Sequence, residues 1–188
     1  MFNFLHRRNA KQRALRKYSE EEIALGPMLP TDMPLVWRME RASSPTPWPV
    51  SLFQDLIEDS RHTVLAAKIG TRLVGYLLYE HKGEIGHITN ICVHNDYRRR
   101  GVASIMLASV LERMQKEGFS ASELEVRQTN MDAQLFYKKF GFITYEIVSA
   151  GYPDTLEDCF LMRLPLAEHS HTTSNYRFHS ILIFFHIC

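Results

Sequence analysis

Between residues 84 and 127 the chain reads strand, glycine-bearing bend, helix, strand, and this unit limits the fold more than any other feature. Residues 84–94 carry Ile85, Ile88, Ile91 and Val93. Residues 102–116 carry Ile105, Leu107, Ala108, Leu111 and Met114 at helical spacing, and Gly118 closes them as a C-cap. Residues 124–127 return as a strand. A helical crossover makes the strands it joins parallel. Upstream, residues 64–69 and 73–80 flank the turn Gly70-Thr71 and lead directly into the strand at 84, so those pairings are antiparallel. The sheet is therefore predicted to be mixed, with helices on both faces.

The remaining segments extend this α/β order. Residues 23–29 are a short apolar stretch. Thr31-Asp32 precede an amphipathic segment through Arg41, with Pro34 in its first turn, where proline is tolerated. A rigid proline-rich loop follows, and Ser51 with Gln54 is a capping-box signature for a short helix to Glu58. Asn130 caps a helix from Met131 to Phe140, stopped by Gly141, and residues 142–148 and 159–164 are two more strands.

Composition narrows the class. At 188 residues and 45% hydrophobic content the chain suits one soluble domain. No apolar run approaches the roughly 18–20 residues of a membrane span. Cys92, Cys159 and Cys188 lie far apart without a Cys-x-x-Cys pair, which argues against a disulfide scaffold or zinc site and fits a reducing cytoplasm. The net charge of +1 hides an asymmetry: residues 1–18 hold Arg7, Arg8, Lys11, Arg13, Arg16 and Lys17 and no acid. This basic arm reads as a solvated extension, a contact for RNA or another acidic surface, or a transit peptide. It lacks a signal peptide's continuous apolar stretch, which argues against secretion. The domain is expected at residues 19–167, and residues 168–188 form a tail, polar first and then apolar. Its last stretch, residues 180–188, reads as a strand or an apolar segment packed on the body.

The bend carries the chemistry. Asn95-Asp-Tyr-Arg98-Arg99-Arg100-Gly101-Val102-Ala103-Ser104 joins a strand to a helix N-terminus, where unpaired N–H groups and a partial positive charge collect. Gly101 and Ala103 permit close backbone approach, and three arginines add positive potential. These features suit a pyrophosphate; an ordinary strand–helix turn with a solvated basic patch is the alternative. The stretch has neither the Gly-Lys-Ser/Thr of a Walker loop nor a dinucleotide glycine triplet. On the strand at 123–127, Glu123, Glu125 and Arg127 share one face, which suits a cleft or polar network as well as an exposed face. Tyr137 stands on the next helix, either a core residue or a proton donor.

Arg98-x-x-Gly101-x-Ala103 after Ile91-Cys92-Val93 resembles the coenzyme motif of the GNAT superfamily of N-acetyltransferases. Leu124-Glu-Val-Arg127, Asn130-x-x-Ala133 and Phe136-Tyr137-x-x-Phe140-Gly141-Phe142 follow in that family's order. Glu40-Arg-Ala42, Pro47-Trp48 and Tyr152-Pro153 before Asp158 bring it closest to the bacterial ribosomal-protein-alanine N-acetyltransferases. Ala103 stands where that family most often has glycine, and the 153–158 loop is shorter than the group's usual form.

The resemblance implies a GNAT-type fold, with a mostly antiparallel sheet of about six to seven strands. It implies acetyl-coenzyme A as co-substrate and no metal. Coenzyme contacts are then expected from Ile91, Cys92, Val93, Arg98, Arg99, Arg100, Gly101, Val102, Ala103, Ser104, Asn130 and Ala133. The backbone of residues 91–93 would pair with the pantetheine arm and supply oxyanion donors. Glu125 is implied as general base and Tyr137 as general acid. The implied reaction acetylates the N-terminal alanine of a ribosomal protein. Another amine, on a lysine or metabolite, is the alternative, and a non-catalytic RNA- or ribosome-binding module is a third.

Overall fold

The computed structural model describes residues 23–44, 46–166 and 186–187. The expected basic arm, with its RNA or ribosome contact, lies outside the described residues, as does most of the tail.

The elements run β1 (Ile23–Pro27), a 3₁₀ turn (Pro30–Asp32), α1 (Met33–Ser43), α2 (Val50–Glu58), β2 (His62–Ile69), β3 (Arg72–Lys82), β4 (Ile85–Val93), a second 3₁₀ turn (Asn95–Tyr97), α3 (Val102–Lys116), β5 (Ala121–Arg127), α4 (Met131–Phe140), β6 (Ile143–Tyr152), β7 (Glu157–Pro165) and β8 (His186–Ile187). The sheet order is β1-β2-β3-β4-β5-β7-β6, with β8 added on β4. Seven strands thus lie on the main path, and the two tail residues supply an eighth. Among the described residues, only β4–β5 and β4–β8 are parallel.

Residue alternation on β3 divides the core. Leu77 and Tyr79 lie in the cluster formed with α3 and α4, while Tyr76 and Leu78 lie in the cluster formed with α1 and α2. The central strands are covered on both faces, as the mixed order predicts. Helix α3 sits close on the sheet because two glycines leave room. A Cβ on Gly86 would stand 2.5 Å from Met114 Cε, and one on Gly75 would stand 3.0 Å from Met106 Cε.

One local expectation fails. The Ser51–Gln54 capping box does not form, because α2 already begins at Val50 with extended Pro49 at its N-cap. Proline's fixed φ ends the extended loop there and leaves Ser51 inside the first turn.

A bulge positions the site. Leu78 pairs with Asn90, but Tyr79 pairs with Ile88, so Thr89 is an extra residue on β4. Its hydroxyl donates to Leu78 O at 3.2 Å. The β4–β5 ladder covers Ile85–Ile88 against Ala121–Leu124 and ends just before the bulge. Beyond it, Glu125, Val126 and Arg127 pair with β7 and no longer with β4. The two parallel strands part here, and the cleft between them faces the bend before α3. Among the described residues, no helix is long and apolar enough to cross a membrane.

Candidate active site

The β4 wall of the cleft follows from ladder alternation. His94 N–H donates to Val74 O at 2.9 Å. In an antiparallel pair, every second residue then bonds to the same neighbour, so Cys92 and Asn90 turn their backbone toward β3. Ile91 and Val93 turn theirs toward the cleft. Of the three expected backbone contacts, Cys92 is therefore the one directed away, and its side chain lies in the α1–α2 core. β8 runs along this edge, with His186 opposite Asn90 and Ile187 opposite Ile91.

The bend closes one end of the cleft. Arg99 (φ 59°) and Gly101 (φ 91°) are both left-handed. For Gly101 that conformation carries no steric cost, and a side chain there would be strained. Ile105 N–H donates to Gly101 O at 3.0 Å, which begins the α3 ladder. The amides of Val102, Ala103 and Ser104 belong to the helix's first turn, where N–H groups have no helical acceptor. Val102 is itself buried in the core, so only its backbone can serve a ligand.

The three arginines have separate attachments. Arg98 Nε donates to Val93 O at 3.1 Å, and its Nη2 donates to Ser43 Oγ at 2.8 Å, tying β4 to the end of α1. Arg99 pairs with Asp132 at 3.3 Å, both side chains being mostly exposed. Such an exposed pair is worth little. Arg100 lies over the Tyr97 ring at 5.3 Å. The positive potential read from the sequence is present, but Arg98 also holds the fold together.

Opposite stands β5. Glu123 is buried and ion-paired with Arg163, so it belongs to the sheet's polar network. Glu125 is mostly buried. Burial pushes its carboxyl up to about 7, with the Glu123 charge adding and Lys82 and the Cys159 thiol opposing. The Cys159 thiol, 3.9 Å from Glu125 Oε2, donates to it. Burial and the Glu125 charge push that thiol up to about 12, so it stays protonated and a donor at neutral pH.

On α4, Asn130 Oδ1 accepts the Ala133 N–H at 3.1 Å, the cap expected from the sequence. Ala133 lies in the core, 5% exposed. Tyr137 is fully buried against Phe142, ring centroids 5.4 Å apart. Its hydroxyl has no hydrogen-bond partner among the described residues, and burial raises its pKa far above that of a free phenol. A buried hydroxyl without a partner costs roughly 1–3 kcal/mol.

Sequence reasoning missed Thr89, Cys159 and the partners of Arg127. Each depends on which residues the sheet sets side by side. Only the shared face of Glu125 and Arg127 was visible as alternation.

Residues 33–142 match the family described as Acetyltransferase (GNAT) family. An N-alpha-acetyltransferase of Sulfurisphaera tokodaii is 29% identical over 150 residues, covering 72% of this chain and 89% of the relative. The ribosomal protein bS18-alanine N-acetyltransferase of Salmonella typhimurium is 27% identical over 139 residues, covering 73% of this chain and 93% of the relative. The crystal structure of the ribosomal-protein-S18-alanine N-acetyltransferase from Escherichia coli shares the fold with a TM-score of 0.72 at 24% identity, covering 84% of this chain and 100% of that one. The cleft, the bend and the family match agree: this chain belongs to the GNAT acetyltransferase family and is an N-acetyltransferase.

Proposed function

We propose that the enzyme transfers acetyl from acetyl-coenzyme A to the α-amine of an N-terminal alanine, on a ribosomal protein. The observation that carries this reading is the mostly buried Glu125 carboxylate, placed on β5 just past the end of its ladder with β4, where burial raises its proton affinity. An α-amine has a pKa of about 8 and a lysine amine about 10.4. Proton transfer from the ammonium to Glu125, held at about 7, then costs roughly 1 kcal/mol for the α-amine and roughly 5 kcal/mol for lysine. The α-amine is the better-matched acceptor. The bS18-directed relative and the residues shared with its group support the alanine of a ribosomal protein as the target.

The residues fit the donor. The bend offers helix-start amides for the pyrophosphate, with no Cβ at Gly101. The outward backbone of Ile91 and Val93 can pair with an amide-rich arm and place N–H donors on a carbonyl oxygen. Acetyl-coenzyme A supplies the activated acyl group. Glu125 takes the proton from the attacking amine, directly or through one water. The Tyr137 O–H gives its proton to the leaving sulfur, a partner its hydroxyl does not find among the described residues.

Two measurements test this. A ribosomal-protein peptide with a free N-terminal alanine and an internal lysine, incubated with acetyl-coenzyme A, is expected to gain one acetyl group on the alanine by mass spectrometry. Acetylation of the lysine, or of neither, would overturn the reading. The Ile91 edge cannot serve β8 and the coenzyme at once. A chain ending at Leu166 is therefore expected to bind coenzyme A more tightly than the full chain in calorimetry. Equal affinities would take the pantetheine arm away from that edge.

A further inference from the structure

Arg127 lies two residues beyond Glu125 on the same face of β5, and its side chain is only 11% exposed. Among the described residues, its charged partners are Asp154, in the turn between β6 and β7, and Glu157, the first residue of β7. Nη2 meets Asp154 Oδ2 at 2.7 Å, while Nη1 meets Thr155 Oγ1 at 2.7 Å and Glu157 Oε1 at 3.4 Å. The guanidinium also stacks on Tyr152, 4.0 Å from the ring centroid. A planar fork can hold these partners together, and a lysine ammonium cannot.

Asp154 reaches further. Its Oδ2 accepts a hydrogen bond from Thr46 Oγ1 at 3.2 Å. Thr46 lies three residues after Ser43, and Ser43 accepts Arg98 Nη2 from the bend beside β4. The segment bearing Ser43 and Thr46 is thus anchored to β4 through Arg98 and to β5 through Asp154 and Arg127. Its two anchors therefore join the strands that part beyond the bulge.

We propose that Arg127 is a positioning residue for the acceptor, holding the segment bearing Ser43 and Thr46 and the β6–β7 turn in register with Glu125 through Asp154 and Thr46. This rests on the N-terminal acceptor reading given above. The polar and aromatic partners of the Arg127 side chain, Asp154, Thr155, Glu157 and Tyr152, lie outside the bend, so its loss is expected on the acceptor rather than on the coenzyme.

Calorimetry with two probes tests it: coenzyme A, and coenzyme A joined through an acetyl bridge to an alanine-first peptide. Thr46→Val, nearly isosteric and at an exposed hydrogen bond, and Arg127→Lys are expected to keep wild-type affinity for coenzyme A. Both are expected to lose about five- to tenfold on the conjugate. Thr46→Ser, which keeps the hydroxyl, restores it. Conjugate affinity unchanged in both variants overturns the proposal. So does an equal loss on both probes, which would mark a purely structural role. Wild-type protein that binds coenzyme A but gains nothing from the peptide arm overturns the acceptor reading itself, and the proposal with it.

Discussion

Replacing Glu125 with glutamine is expected to lower kcat by about 10²–10⁴-fold, the range for losing a positioned general base. Affinity for coenzyme A should stay near that of the wild type, because Glu125 is set apart from the bend. The wild-type rate should fall about tenfold per pH unit below about 7, as the carboxyl takes up the proton it must accept. In Glu125→Gln the limb set by this carboxyl should vanish, leaving only the acceptor amine's own ionisation near about 8. Stability should move the other way. A carboxyl whose folded pKa lies above its unfolded value binds more protons when folded, so folding stability falls as pH rises from about 4.5 to about 7. Above that window the ionised, desolvated carboxylate costs on the order of 3 kcal/mol. Glu125→Gln should therefore melt higher than the wild type at pH 8, and the gap should close toward pH 5. A variant that keeps its turnover across pH 6–9, or that melts lower at pH 8, would remove Glu125 from the role of base.

The parts of this molecule that were legible in the sequence are those governed by local chemistry. Helix α3 runs over Val102–Lys116 and α4 over Met131–Phe140, as read, because glycines and an asparagine mark their ends. Gly101, Gly118 and Gly141 all adopt positive φ, and Asn130 makes the cap bond its side chain allows. The order of strands followed from the hairpins and crossovers. β3 nevertheless extends to Lys82, past its last clear hydrophobic signal, because pairing with β4 carries it on. The bulge at Thr89 was hidden for the same reason. Ile88-Thr89-Asn90 contains no glycine or proline, and the extra residue exists only as a mismatch of register with β3. Glu125 stood out through its alternating charged neighbours, but the burial that raises its proton affinity, and the Cys159 and Lys82 groups that oppose it, come with the assembled sheet. Cys159 lies 34 residues away and acquires its role only when β5 and β7 pair.

Tyr137→Phe is expected to slow the chemical step by about 10²-fold, toward the lower end for loss of a general acid, because a departing thiolate needs less help than an alkoxide. The same substitution should leave the free protein as stable as the wild type, or more so. The reason lies in the buried hydroxyl, which has no partner among the described residues while its ring packs against Phe136 and Phe142. Phenylalanine keeps that packing and removes a polar atom that burial penalises by roughly 1–3 kcal/mol. A tyrosine serving only the core would show neither effect on rate, and one whose hydroxyl held the fold together would lose stability on truncation. The combination of unchanged coenzyme affinity, slower single-turnover chemistry and an undiminished melting temperature is specific to a proton donor that waits for its acceptor. Loss of coenzyme affinity with an unchanged chemical step would make Tyr137 a binding residue instead. A fall in melting temperature would show that its hydroxyl already serves the apo fold.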